Sequence, residues 1–174
     1  MLQNGAAVPR RSGAPALAQR TAACASGGLL TNLLHRFEVW TVLEAHAVSC
    51  AALSPRRDLA TARSVLAQLN QRVIAAADPA PWHRLELELH QAIAQQSGNA
   101  VVATMAWRAH AEWQAIWLAG TGRRHHDLAT LWRLQSQHRH ILSCIEAGQP
   151  DDAIAHTHAH HRQLRRQLLR ALPG

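Results

Sequence analysis

The sequence predicts an all-α protein, an antiparallel bundle of about six helices, and three observations carry that expectation. Ala, Leu, Gln and Arg dominate while Tyr is absent and Phe occurs once, at Phe37, a composition that favours helices over strands. From Leu29 onward apolar residues recur at three- and four-residue steps, the period of one helix face, and no stretch alternates as a strand would. Gly, Pro, Ser and Asn interrupt that pattern at the spacing of short turns. The chain has 174 residues, 48% of them hydrophobic and 17% charged, enough to bury one core, and no apolar run approaches the ~18 residues of a membrane span.

Each element follows from its own signals. Residues 1–28 mix Gly, Pro, Ser and Arg without a sustained apolar period, which reads as a disordered arm or linker; 29–172 form the helical domain. The first helix is expected over 29–53, with Leu30, Leu33, Leu34, Phe37, Trp40 and Leu43 along one stripe. Ser54-Pro55 offers a cap and a first-turn proline for a second helix over 55–77, whose stripe includes Leu59, Val65, Leu66, Leu69 and Val73. A third, over 81–97, stops at Gly98, and Asn99 can cap a fourth over 100–119. After the loop at 120–125 a fifth helix runs to Ala147 with Leu131, Leu134, Ile141, Leu142 and Ile145 inward, and Gly148 closes it. Pro150 and the acidic pair Asp151-Asp152 open a sixth, where they suit a positive helix N-terminus.

The formal charge is +7 with arginine as the only cation type besides 13 histidines, a balance that suits anionic ligands or non-specific contact with nucleic acid. Cys24, Cys50 and Cys144 have no paired spacing and fit a reducing compartment, so a cytoplasmic protein is expected.

Chemistry concentrates on three helices. Glu86 and His90 are four apart, one above the other, beside the Leu85, Leu89 and Ile93 seam. His138 sits four after Leu134 and three before Ile141, whereas His140 falls on another face; His160 is four before Leu164, and His158 is expected on the solvated side. Singly, each reads as readily as a surface pair or a satisfied core histidine. Together, Glu86, His90, His138 and His160 bring one carboxylate and three imidazoles toward one bundle interior, a donor set able to hold a divalent ion such as zinc, nickel, iron or manganese. Affinity is then expected to fall as the pH drops through the ordinary histidine range near ~6.5.

The segment Glu86 to Asn99 (ELELHQAIAQQSGN) resembles the signature of the FCD family: an acid, three residues, a His, then an apolar stretch closing in a Ser-Gly-Asn turn. Gln137-His138-Arg139-His140-Ile141-Leu142 is similar to that family's Glu-His-x-x-Ile-Leu, and Gly148 to Ala153 followed by His160 to its Gly-Asp-x-x-x-Ala and later His. Phe37 to Glu44 (FEVWTVLE) looks like its Glu-Val-Arg-x-x-Leu-Glu helix. Two positions differ: Glu86 stands where the family usually has Asp, and Trp40 where it has Arg.

FCD domains are the ligand-sensing halves of GntR-type transcription regulators of the FadR subfamily. The resemblance implies a helical bundle, usually a homodimer, with a metal on Glu86, His90, His138 and His160, and a small organic acid as effector, with Trp40, Glu44 and Asn99 at effector-binding positions. Residues 1–28 are too short for a winged helix, so specific DNA reading is expected only through one missing from this chain. Helix four carries Trp107, Trp113 and Trp117, which cannot all face one core, so at least one is expected to meet a partner. No paired nucleophile and base is visible, and turnover is not expected. The competing reading is a metal-dependent hydrolase or oxygenase on a helical bundle, for which His126-Asp127 would supply ligands.

Overall fold

The computed structural model describes residues 14–74, 79–121 and 127–171, and all of them lie in helices or in the short turns between helices. The helices are α1 (Ala14–Leu53), α2 (Ala60–Ile74), α3 (Pro79–Gln95), α4 (Ala100–Thr121), α5 (Leu128–Glu146) and α6 (Pro150–Ala171). The chain divides at Asn32/Leu33 into two units, and the core and the candidate site belong to the second, Leu33–Gly174.

Two helix starts differ from expectation by more than two residues. The first helix starts at Ala14 rather than Leu29, so residues 14–28 of the segment expected to be disordered are helical. Ala14, Ala16, Ala18, Ala22, Ala23 and Ala25 fill that stretch with the strongest helix former, and propensity outweighs the missing apolar period. The remainder of that arm, 1–13, lies outside the described residues.

The second helix starts at Ala60, not at Pro55. Ser54 Oγ closes a local turn with the Arg56 amide at 3.3 Å, while Asp58 Oδ1 accepts from the Ala60 amide at 2.9 Å and serves as the helix's entry cap. Arg57 explains why the turn is held open. Its guanidinium donates to the carbonyls of Ala52 (3.1 Å), Ser54 (2.9 Å) and Glu146 (3.0 Å), satisfying C-terminal carbonyls of both α1 and α5.

The glycine caps are as the sequence predicts. Gly98 (φ 70°) and Gly148 (φ 69°) adopt the left-handed conformation that ends α3 and α5, a region open to glycine without a Cβ penalty. Asp127 caps α5 through the Thr130 amide at 2.7 Å. All six helices contribute to the core, and on α2, α3, α5 and α6 Leu69, Leu89, Ile93, Leu134, Ile141, Ile145 and Leu168 are among its most completely buried residues. Each contributes roughly 1.5–3 kcal/mol of burial, which fixes the rotation of its helix and hence the direction of the polar residues beside it.

Candidate metal centre

On α3, burying Leu89 and Ile93 commits the adjacent face, and Glu86 and His90, one turn apart, are carried inward with them. On α5, His138 lies between Leu134 and Ile141 in the buried stripe; on α6, His160 lies one turn before Leu164. All four side chains are buried, and their ligand atoms lie within 4.8 Å of one another. Glu86 Oε1 is the common point: His90 Nε2 is 3.6 Å away, His138 Nε2 3.5 Å and His160 Nε2 3.8 Å. These are too long for hydrogen bonds, and the three Nε2 atoms have no hydrogen-bond partner among the described residues.

Tetrahedral donors ~2.0–2.2 Å from one ion stand ~3.3–3.6 Å apart, so the three Glu86–histidine separations are already close to metal-binding spacing, while the widest pair, within 4.8 Å, would draw in by up to ~1.5 Å. The surroundings prepare the imidazoles for it. Glu44 on α1 accepts from His90 Nδ1, and Gln137 Oε1 lies 3.2 Å from His160 Nδ1; each contact turns the opposite nitrogen, Nε2, toward Glu86. Glu44 also accepts from His161 Nε2 at 2.7 Å, while His161 Nδ1 meets Thr41 Oγ1 at 2.7 Å.

Electrostatics divides the cluster. Burial disfavours the His90 imidazolium, but the carboxylates of Glu44 and Glu86 outweigh it and hold the pKa up at about 10. Burial also works against the Glu44 carboxylate, yet His90 and His161 keep it well below the usual range. His138 is pushed down to about 4 and His160 well below the ordinary histidine value, both chiefly by burial, so these two are neutral imidazoles, the form that binds metal.

The residues expected to touch an effector occupy three different settings. Trp40, 1% exposed, stacks on His110 (centroids 3.9 Å apart, planes 9° from parallel) and sets its ring edge-on to His90. Glu44 is engaged by His90 and His161, as above. Asn99 is exposed at the α3–α4 turn, where Oδ1 accepts from the amides of Val101 (3.0 Å) and Val102 (3.1 Å); it caps α4 and is not among the cluster's residues. Asp127 of the rival hydrolase reading is the cap of α5, and His126 lies outside the described residues. His158 is half-buried rather than solvated, and it stands outside the cluster. A cavity of about 10 Å³ lined by Glu86, Trp82, Trp113 and Trp117 has room for about one water.

The sequence reading missed His161, Gln137 and His110. The only signal for His161 was its place beside His160; its partners Thr41 and Glu44 are more than a hundred residues away in the chain. His110, 1% exposed and with burial holding it neutral, packs against both Trp40 and His90.

The profile of the FCD domain family matches residues 35–163, a stretch that carries all four cluster residues together with Glu44 and His161. The chain belongs to the FCD family. No curated protein matches it closely enough to compare. The FCD assignment agrees with the all-helical architecture, and among the described residues no helix is long and apolar enough to cross a membrane.

Proposed function

We propose that this FCD domain is the effector-sensing part of a GntR/FadR-type transcription regulator, that it holds one divalent ion on Glu86, His90, His138 and His160, and that a small organic acid is its effector. The observation that carries the reading is the convergence on one carboxylate oxygen of three buried imidazole Nε2 atoms, none of them hydrogen-bonded. A buried nitrogen without a partner costs about 1–3 kcal/mol, and one ion relieves all three. When bound, the ion supplies a positive, electrophilic centre that an anion can approach.

The chain's own residues then have separate tasks. Glu86 and His90 anchor the ion to α3, His138 to α5 and His160 to α6, so occupancy fastens three helices to one point. Glu44 orients His90 and, through His161, draws α1 and α6 into the same network. Ligand binding that favours one arrangement of these helices biases a dimer and, through it, a winged helix lying outside residues 35–163. Exposed apolar residues on α4, among them Val101, Met105 and Trp107, support a homodimer. The protein is read as cytoplasmic, and its own contact with DNA as non-specific and salt-sensitive. The hydrolase alternative draws no support from Asp127, which caps α5.

Elemental analysis of purified protein tests the proposal. Wild type and His140→Ala should carry about one ion per chain and His138→Ala none. No ion in the wild type even after reconstitution, or equal content in all three, would refute it.

A further inference from the structure

The network around Glu44 reaches the surface. Thr41, bonded to His161 Nδ1, lines an open cleft of about 310 Å³ between α1 and α6. That volume is at the lower end of the ~300–1,000 Å³ typical of small-molecule sites. The α6 wall is formed by His158, His161, Arg162 and Arg165, an i, i+3, i+4, i+7 stripe that a helix presents on one face. On most helices such a stripe is apolar; here it consists of two histidines and two arginines, while Leu164 and Leu168 do the packing on the next face. Arg162 and Arg165 are exposed and form no ion pair among the described residues. From α1 come the apolar Phe37 and the cleft's only lining carboxylate, Glu38.

Two unengaged guanidiniums three residues apart, over an apolar floor and beside a hydroxyl, are the groups that take a carboxylate bidentately. By contrast, the cavity that Glu86 lines has room for about one water. We propose that the α1–α6 cleft binds a small organic carboxylate through Arg162 and Arg165, and that its occupancy is linked to the metal cluster through Thr41, His161, Glu44 and His90.

The Thr41 hydroxyl is the movable part. Its one proton has two acceptors, His161 Nδ1 at 2.7 Å and the Phe37 carbonyl at 2.8 Å, and a ligand oxygen in the cleft would be a third. Whichever acceptor wins changes the hold of His161 on Glu44, and Glu44 orients the metal-facing His90. The linkage rests on the metal reading above; binding in the cleft does not.

Calorimetric titration of zinc-loaded full-length chain with succinate, citrate and inorganic phosphate provides the test. Succinate or citrate should bind more tightly than phosphate, and Arg162→Ala/Arg165→Ala should weaken that binding by about tenfold or more. Glu38→Gln, which removes the opposing charge, should tighten it about threefold. Zinc-free His138→Ala should still bind the carboxylate, and in the wild type the acid should shift zinc affinity about fivefold or more, with zinc shifting the acid's affinity by the same factor. Loss of binding in His138→Ala with none in the arginine variant would place the carboxylate on the ion and overturn the cleft site. Phosphate binding as tightly as the carboxylates, or no acid bound at millimolar concentration, would overturn it too. Arginine-dependent binding without any change in zinc affinity would overturn the linkage. Failure of the metal reading is separate: it appears as a wild type that takes up no zinc, with the arginine comparison still decisive for the cleft.

Discussion

Two pairs of histidines join the same two helices, α5 and α6, and their fates differ. The inner pair, His138 and His160, has ring centroids 4.4 Å apart and is wholly buried; the outer pair, His140 and His156, has centroids 5.2 Å apart, with His140 exposed. The residue type is the same and on α5 the two differ by two positions, which on a helix is about half a turn. What separates them is water. The outer imidazoles can hydrogen-bond solvent at no cost, whereas the inner ones have given up solvent and stand beside Glu86 with Nε2 unpartnered. A buried histidine with a ring nitrogen left without a hydrogen bond is the informative kind, and here two such residues share one carboxylate with His90.

The largest effect should come from breaking the inner set. His138→Ala is expected to lower metal affinity by more than the ~100-fold upper range seen for groups one shell further out, while His140→Ala leaves it unchanged; competition against a chelating dye measures both. Comparable losses in the two variants would erase the distinction.

Next is Glu44→Gln, which keeps a hydrogen-bond acceptor for His90 but removes the charge. Affinity should drop about 10- to 100-fold with the stoichiometry retained. An unchanged affinity would mean that Glu44 serves only the packing of α1.

The pH dependence sharpens the contrast further, and it differs from what ordinary histidines would give. With its pKa near 10, the metal-free His90 carries a proton throughout the neutral range, and an incoming ion must displace it; His138, near 4, is already neutral. The native metal-free state therefore binds one more proton than the loaded state, so apparent affinity should rise about tenfold per pH unit between pH ~5 and ~9. It should fall more steeply as His138 protonates, near pH 4. Isothermal titration in buffers of different ionisation enthalpy counts the proton released. In Glu44→Gln the slope should flatten, because His90 loses the carboxylate that raises it; a plateau above pH ~7 in the wild type would contradict the assignment.

The smallest effect concerns Asn99. As the cap of α4, its replacement by Ala should cost about 1 kcal/mol of stability in denaturant melts and leave metal and carboxylate binding alone. A loss of carboxylate affinity without a loss of stability would return Asn99 to the effector site.

Much of this was legible before any coordinates, and for a local reason. Glu86, His90, His138 and His160 each sit beside apolar residues whose burial is readable from a period of 3.6, so the direction of each side chain follows from its own helix. The same logic gave Gly98, Asn99 and Gly148, whose roles depend on a few neighbouring residues. It failed where the deciding partner is remote. Pro55 signals a helix start, but Arg57, tied to a carbonyl of α5, keeps that segment as a turn until Asp58. Glu44 is singled out in the sequence only as an effector-binding position implied by the family resemblance, and His161 not at all, because what ties them to the cluster is a contact across 117 positions.

The central claim is that the inner histidines and Glu86 enclose one divalent ion, and X-ray absorption at the edge of the bound metal tests it most directly. A first shell of three imidazole nitrogens and carboxylate oxygen at ~2.0–2.2 Å, lost in His138→Ala and kept in His140→Ala, is the predicted result. A sulfur neighbour at ~2.3 Å, or a shell with fewer than three imidazoles that persists in His138→Ala, would place the ion elsewhere and contradict the account.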